Sequence, residues 1–450
     1  MIDRDRLAAL LIRERNEFIA LHPRSRQAYA AAEHLFGGVP MTWMNMRAGA
    51  FPLYLQSARG STVTDIDGVS YSDFALGDTA AMAGHSPAAT VEAVNRRFGE
   101  LGGATAMMPT EDAEWVGQEL SRRFGPTRWS LSLTATDANR WSIRIARAVT
   151  GRPKILVNSY CYHGSVDESL IVVGPDGAGA SREGNVGAPC DVTMTSRVAE
   201  FNDLAGLERE LEHGDVAAVL MEPALTNIGI VLPEPGYLDG VRELTRRHGS
   251  LLINDETHTF SAGPGGCTRA WGLEPDLVVI GKAIGGGIPA GAYGMTDEFA
   301  ERVLSRTDLD LVDMGGVGGT MAGNALSVAA VRATLEHVLT DKAFDQMTAL
   351  ATTYADGVRS IFTETGAPWS ISQLGARAEY RFTPTPPQNG TESRRALDSE
   401  LDDYFHLYLA NRGVLLTPFH NMALMCPETT AEDVALHLEL TRAATVDLLG

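Results

Sequence analysis

A lysine directly after a short apolar run is the first feature with chemical reach. Residues 276–287 read Asp-Leu-Val-Val-Ile-Gly-Lys-Ala-Ile-Gly-Gly-Gly. Leu277 to Ile280 has the composition of a buried strand, and Lys282 follows at its end. The chain holds only three lysines: Lys154, Lys282 and Lys342. Arg152-Pro153-Lys154 and Asp341-Lys342-Ala343 read as exposed contexts. A lysine set into a partly desolvated strand end can serve as a nucleophile. Over these twelve residues alone, an ordinary lysine at a glycine turn would look the same.

Two further apolar runs end in acids. One closes with Met221-Glu222-Pro223, the other with Asn254-Asp255-Glu256-Thr257-His258. Open α/β sheets bind ligands beyond the carboxyl ends of their strands. An acid pair placed straight after Leu-Leu-Ile needs cations or hydrogen-bond donors to be tolerated there. Carboxylates at one strand end and a lysine at a nearby one make a site, or else a structural ion pair.

The elements that must carry these residues alternate. Residues 154–157, 216–221, 251–254 and 277–280 are expected strands, and 112–124 and 137–149 expected helices. Such alternation indicates an α/β fold with a mainly parallel sheet flanked by helices. Residues 3–35 carry apolar residues at helical spacing, and 53–75 form an expected small antiparallel sheet with turns at Arg59-Gly60 and Asp67-Gly68. Residues 324–365 are expected to be largely helical. The domain reading is 1–75 as an N-terminal part of a small domain, 76–335 as the large domain, and 336–450 as the C-terminal small α+β domain.

Composition narrows the function. The 450 residues carry a net charge of −20, which opposes a general nucleic-acid or anionic-membrane surface. The four cysteines, Cys161, Cys190, Cys267 and Cys426, form no CxxC pair, so neither a structural zinc site nor a disulfide framework is expected. No metal is expected. The first residues carry both charge signs and no apolar core, unlike a signal peptide, and no apolar run approaches the roughly 20 residues of a membrane span. A reduced, cytoplasmic protein fits best.

A desolvated lysine beside a carboxylate suits an imine to an aldehyde cofactor. Pyridoxal 5′-phosphate needs that lysine, an acid at its pyridinium nitrogen and an anion cradle. Leu133-Thr134-Ala135-Thr136-Asp137-Ala138-Asn139 offers a hydroxyl-rich turn into a helix, and Tyr162 in Cys161-Tyr162-His163-Gly164 a flat ring. In this order the motifs resemble a class III aminotransferase of fold type I over nearly the whole chain. The likeness is to the glutamate semialdehyde aminomutase and β-amino-acid aminotransferase branch.

The resemblance implies roles. Lys282 would form the internal aldimine and shuttle the substrate proton. Asp255 would pair with the ring nitrogen, and Tyr162 would stack on the ring in the Tyr162-His163-Gly164 motif. Ala135 and Thr136 would hold the phosphate. Glu222-Pro223 with Asn227 matches the acid-Pro motif. Gly319-Thr320 would reach the phosphate site of a second subunit, implying a homodimer with shared active sites. The expected reaction is ping-pong transfer of an amino group from an amine or amino acid, of ω- or β-amino type, to a keto acid or aldehyde. An intramolecular aminomutase, or a racemase or lyase on the same scaffold, is the alternative.

Several positions depart from the family. Ala135 stands in a turn that usually holds glycine. Thr257 stands where valine usually packs under the ring, and His258 near the cofactor's phenolic oxygen. Thr417 and Trp43 occupy positions where relatives carry a carboxylate-binding arginine. Trp43 would then line an apolar pocket. His420, with Arg377 behind it, becomes the expected carboxylate ligand; Arg47 and Arg381 are further basic residues in reach of that role. Borohydride reduction with peptide mapping should place a pyridoxyl group on Lys282. Label on Lys154 or Lys342 would overturn the assignment.

Overall fold

The computed structural model describes residues 2–46, 48–187 and 189–450. Arg47 lies outside them. The chain forms two compact units. The large one comprises Ala88–Asp341 and Pro387–Arg395. The small one comprises the residues up to Pro87 together with Lys342–Pro386 and Ala396–Gly450.

These divisions differ from 75/76 and 335/336 for local reasons. Residues 76–87 stay with the small unit because Gly60 and His85 exchange backbone hydrogen bonds, and the His85 ring lies 2.7 Å from Asp73. The chain to Asp341 stays with the large unit because the buried Arg123 donates to the Leu335 and Leu339 carbonyls. Residues 387–395 join the large unit: Ser393 donates to the Ile228 carbonyl and Thr391 to Glu200.

The large unit is built on a seven-stranded sheet. Its order is Arg128–Ser132, Gly291–Met295, Leu277–Ile280, Leu251–Asp255, Val216–Met221, Lys154–Asn158, Ser196–Ala199. Only Gly291–Met295 runs against its neighbours. Val216–Met221 and Leu277–Ile280 are buried at every residue, as strands covered on both faces must be. Ile253 pairs with Leu277 and Leu220, so three adjacent strands end at nearly one level. Lys154 opens a strand of this sheet, with its amine 3.5 Å from Asp215. Its context is thus more enclosed than expected, whereas Lys342 is exposed.

In the small unit, Leu55–Arg59, Thr62–Asp65 and Ser70–Asp73 form an antiparallel sheet that Val414–Leu415 extends in parallel. The first strand starts at Leu55, two residues later than expected. A second sheet joins Ser370–Leu374, Arg377–Arg381 and Met422–Leu424. Helices Arg4–Leu21, Ser399–Ala410 and Ala431–Leu449 pack on one another, and Ser399–Ala410 on Val414–Leu415. No helix among the described residues is long and apolar enough to cross a membrane.

His437, on Ala431–Leu449, is fully buried between Phe74 and Tyr354, with ring centroids 4.8 and 4.6 Å away. Its Nδ1 has no partner among the described residues. Burial alone pushes this imidazole from 6.5 down to about 3. Below about 6.5 the unfolded chain binds a proton that the folded one refuses. Its contribution to stability is therefore complete above about 6.5 and is lost as pH falls toward 3, at about 1.4 kcal/mol per pH unit. Denaturant titrations at pH 7 and pH 4 should show wild type losing about 3 kcal/mol more than His437→Leu over that interval. Equal losses in the two proteins would refute this account.

Candidate active site

Three neighbouring strands deliver the three charged residues. Glu222 follows Val216–Met221, Asp255 closes Leu251–Asp255, and Lys282 lies just past Leu277–Ile280. The acids of the Asp255-Glu256 pair are satisfied separately. Glu256 accepts from Thr259 Oγ1, Cys267 N, and Thr268 N and Oγ1, at 2.5 to 3.0 Å. Burial pushes its pKa up in spite of these donors. It fastens the following loop.

Asp255 is only 3% exposed. Its Oδ2 accepts from Asn139 Nδ2 at 2.8 Å and lies 2.9 Å from His163 Nδ1, while Oδ1 accepts from the Thr257 N–H at 3.0 Å. Burial alone would raise this carboxyl; the hydrogen bond and charge of His163 outweigh it, and the net direction is down. Burial likewise opposes the charged imidazole. Cys161 and Asp255 outweigh it, and His163 sits well above the ordinary histidine range. The two therefore form a buried carboxylate–imidazolium pair at neutral pH. Glu222 goes the other way: desolvation raises it, although it accepts from Thr226 and, at 3.4 Å, from the Tyr162 N–H. Asn227 Nδ2 donates to the Tyr160 carbonyl at 3.5 Å.

The turn before helix Ala135–Thr150 approaches the lysine segment closely. A Cβ at Gly281 would meet Ala135 Cβ at 2.9 Å and Ala135 N at 3.0 Å. A Cβ at Gly164, where φ is +79°, would fall 1.9 Å from Thr136 Oγ1. Both glycines are dictated by these approaches. Ala135 needs no positive φ, because Thr134 is the N-cap and Ala135 the first helical residue. The Thr134 hydroxyl accepts from Asp137 N, leaving Ala135 and Thr136 N–H as first-turn donors toward an anion. Lys282 has φ +50°, a left-handed conformation costing of order 1–3 kcal/mol. Its Nζ lies 2.8 Å from His258 Nε2. Tyr162 is exposed.

Thus Lys282, Asp255, His163, Glu222, Ala135, Thr136, Thr257, His258, Tyr162 and Asn227 all belong to the large unit. Thr320 belongs to it too, exposed on a groove of about 710 Å³ that Met107, Met108, Leu311 and Val312 also line. Trp43 sits in the small unit on the turn Thr42–Asn45, 45% exposed. His420 and Arg377 share a buried cluster in that unit. His420 Nδ1 lies 3.0 Å from Glu379 Oε1, and Arg377 Nη2 donates to Thr79 Oγ1 at 2.5 Å. Glu379 raises the His420 pKa against the effect of burial. Thr417 is buried and donates to the Ala75 carbonyl at 3.4 Å. Asn139 as a ligand of Asp255 was not visible in the sequence, since 116 residues separate them. No group of His, Cys, Asp and Glu among the described residues is arranged to hold a metal ion.

Residues 43–444 match the family described as aminotransferase class-III. The chain belongs to that family. It is 32% identical to the glutamate-1-semialdehyde 2,1-aminomutase of Desulfitobacterium hafniense (strain Y51), over 93% of this chain and 97% of that one. The crystal structure of a glutamate-1-semialdehyde-aminomutase from Pseudomonas aeruginosa PAO1 matches with 47% identity, 99% of each chain and a TM-score of 0.96. A lysine-to-alanine variant of that protein is in complex with PMP. An omega-transaminase from Sphaerobacter thermophilus matches with 29% identity, over 95% of this chain and 98% of that one, at a TM-score of 0.84. The fold is that of the fold type I pyridoxal-phosphate enzymes.

The site suits that cofactor on its own geometry. Asn139 Oδ1, His163 Nε2 and Thr257 Oγ1 are buried without partners among the described residues. A carboxylate has about four acceptor positions, and Asp255 uses three, leaving one for a ring N–H. Asp255→Asn should keep the fold and bind cofactor, yet slow the amine-driven half-reaction by about 100-fold, as loss of a preorganised charge does. Single-turnover absorbance traces measure this. A near-normal rate in the variant would remove Asp255 from the role.

Proposed function

We propose that this protein uses pyridoxal 5′-phosphate to exchange an amino group and a carbonyl within one small substrate, as an aminomutase does. The observation that carries the chemistry is the buried Asp255–His163 pair one strand from Lys282. The intramolecular outcome is supported by the relatives that bear the aminomutase name, at 32% and 47% identity over nearly the whole chain. When bound, the cofactor supplies an aldehyde for the amino group and a ring that accepts electrons from the substrate carbon.

The chain's own residues do the rest. Asp255 would hold a protonated ring nitrogen by its free acceptor position. Lys282 takes and returns a proton at Nζ. Tyr162 would cover the ring, and the Ala135 and Thr136 N–H groups would hold the phosphate. In this reading His420, whose pKa Glu379 raises against burial, is the first candidate ligand for a substrate carboxylate, with Arg377 second.

A second copy of the chain completes the assembly in this reading, with Thr320 of the partner subunit reaching the phosphate. The apolar groove around Thr320, with Met107 and Val312 largely exposed, supports a homodimer. The four cysteines are free thiols, which accords with a cytoplasmic location.

Transfer between two molecules is the second reading. It is favoured by Trp43 and Thr417, which stand where the resemblance places carboxylate-binding arginines and cannot form a bidentate pair. The ω-transaminase relative belongs with this reading. One experiment separates the two. Supplied with glutamate-1-semialdehyde alone, the holoprotein should produce the isomer with the amino group moved from C2 to C1, at a rate unaffected by added keto acid. No isomer, with turnover of an apolar or ω-amine strictly dependent on a keto acid, would establish transamination instead.

A further inference from the structure

His258 is the residue of this site whose contact the family pattern does not explain. It ends the stretch Asp255-Glu256-Thr257-His258 and precedes the short helical turn Thr259–Ala262. Its side chain is 7% exposed. The ring reaches across to the next strand end, and Nε2 lies 2.8 Å from Lys282 Nζ. That is a hydrogen-bond distance. A lysine ammonium has three donors and no acceptor. The bond therefore requires Nε2 to be the unprotonated nitrogen whenever Lys282 is charged, which assigns the proton of neutral His258 to Nδ1.

We infer that His258 is the proton acceptor that converts Lys282 to its nucleophilic amine, and so positions and primes it. The step moves one proton. An N–H bond at Nζ breaks, an N–H bond at Nε2 forms, and the electron pair stays on Nζ. The ammonium becomes an amine and the imidazole an imidazolium, so charge is conserved. In reverse, the same contact returns the proton. Two other observations favour this role over a mere structural bond. The Lys282 backbone is held at φ +50°, which aims the side chain from a conformation that non-glycine residues rarely adopt. The Gly281 approach to Ala135 locks the same segment against the helix start. Nζ is thus presented to His258 from a fixed base. His258 acts through Lys282 and is a positioning residue.

This rests on Lys282 being the lysine that condenses with the cofactor aldehyde, and the test keeps the two ideas apart. The full-length chain, freed of bound small molecules, is treated at one pH with 2,4,6-trinitrobenzenesulfonate, and each lysine is followed by peptide mass spectrometry. Lys154 and Lys342 are internal references. His258→Ala should slow labelling of Lys282 by about 100-fold, the low end of what a positioned base contributes, with both references unchanged. Added imidazole should restore much of the rate in that variant and do little in wild type. His258→Asn, which can hydrogen-bond but is not a base, should stay slow, and it decides the matter should the alanine variant fail to fold. Unchanged labelling of Lys282 would overturn the proposal, as would a loss in the alanine variant that imidazole does not relieve. Mapping of borohydride-fixed pyridoxal phosphate on wild type is read separately. A pyridoxyl group elsewhere would sink the cofactor role of Lys282, while the labelling result would still report on His258.

Discussion

A carboxylate stays ionised in a dry interior only where buried partners oppose desolvation. At Asp255 those partners come from three places in the chain: Asn139 on a helix, His163 after a strand, and the Thr257 N–H beyond its own strand end. The resulting net effect is downward on the acid and upward on the imidazole, so each member keeps the other charged. Removing either would leave an uncompensated buried charge, the costly side of any buried ion pair. The large unit must therefore assemble correctly around this point before any chemistry is possible. Placing Asp255 at the end of a central strand meets that need, because the register with Val216–Met221 and Leu277–Ile280 brings neighbouring strand ends to one level.

Close backbone approach is the second constraint, and it follows from the first. Donors for an anion lie in the first turn of Ala135–Thr150, whereas Lys282 lies in the turn after Leu277–Ile280. They come within reach only because Gly281 has no Cβ to strike Ala135 and Gly164 none to strike Thr136. The strained Lys282 backbone is the cost of turning sharply there. Seven strands buried on their central members supply the rigidity that over-determines this conformation.

The parts legible in the sequence were those with a local signature. Val216–Met221 and Leu277–Ile280 are covered on both faces, so they read as unbroken apolar runs, and the acids and lysine after them stood out. Gly291–Met295 gave no such signal. Its Gly-Ala-Tyr-Gly-Met composition holds a single strand former, Tyr293, and Gly294 is there because Trp129 packs where a side chain would go. Arg128–Ser132 and Ser196–Ala199 are sheet edges, the first partly exposed and the second only four residues long, with little to separate them from loops. Asn139 was invisible as a ligand because its partner is 116 residues away and a buried asparagine has no pattern of its own. His258 was legible as an unusual residue but not as a neighbour of Lys282, which only the crossing between strand ends reveals.

The strand Arg377–Arg381 shows the limit of composition most clearly. Arg-Ala-Glu-Tyr-Arg alternates charged and apolar residues as a solvent-facing edge would, yet all five residues are buried. Tyr380 faces the aromatic rings of Phe362, Phe382 and Phe405, so period two sends Arg377, Glu379 and Arg381 to the other side. There Glu379 is held ionised by His420 first and by both arginines next, against the effect of burial. Asp78 also raises the His420 imidazole, and Asp402, pushed up to about 6 by burial, interacts with Arg381 and Glu379. Arg377 Nε, Arg381 Nε and Glu379 Oε2 also lack partners among the described residues. A fold gains little by burying such a set for stability alone, since apolar residues of similar volume would serve as well or better. Glu379 is the hub of the set, with the His420 ring 3.0 Å from one of its oxygens and both arginines acting on its charge.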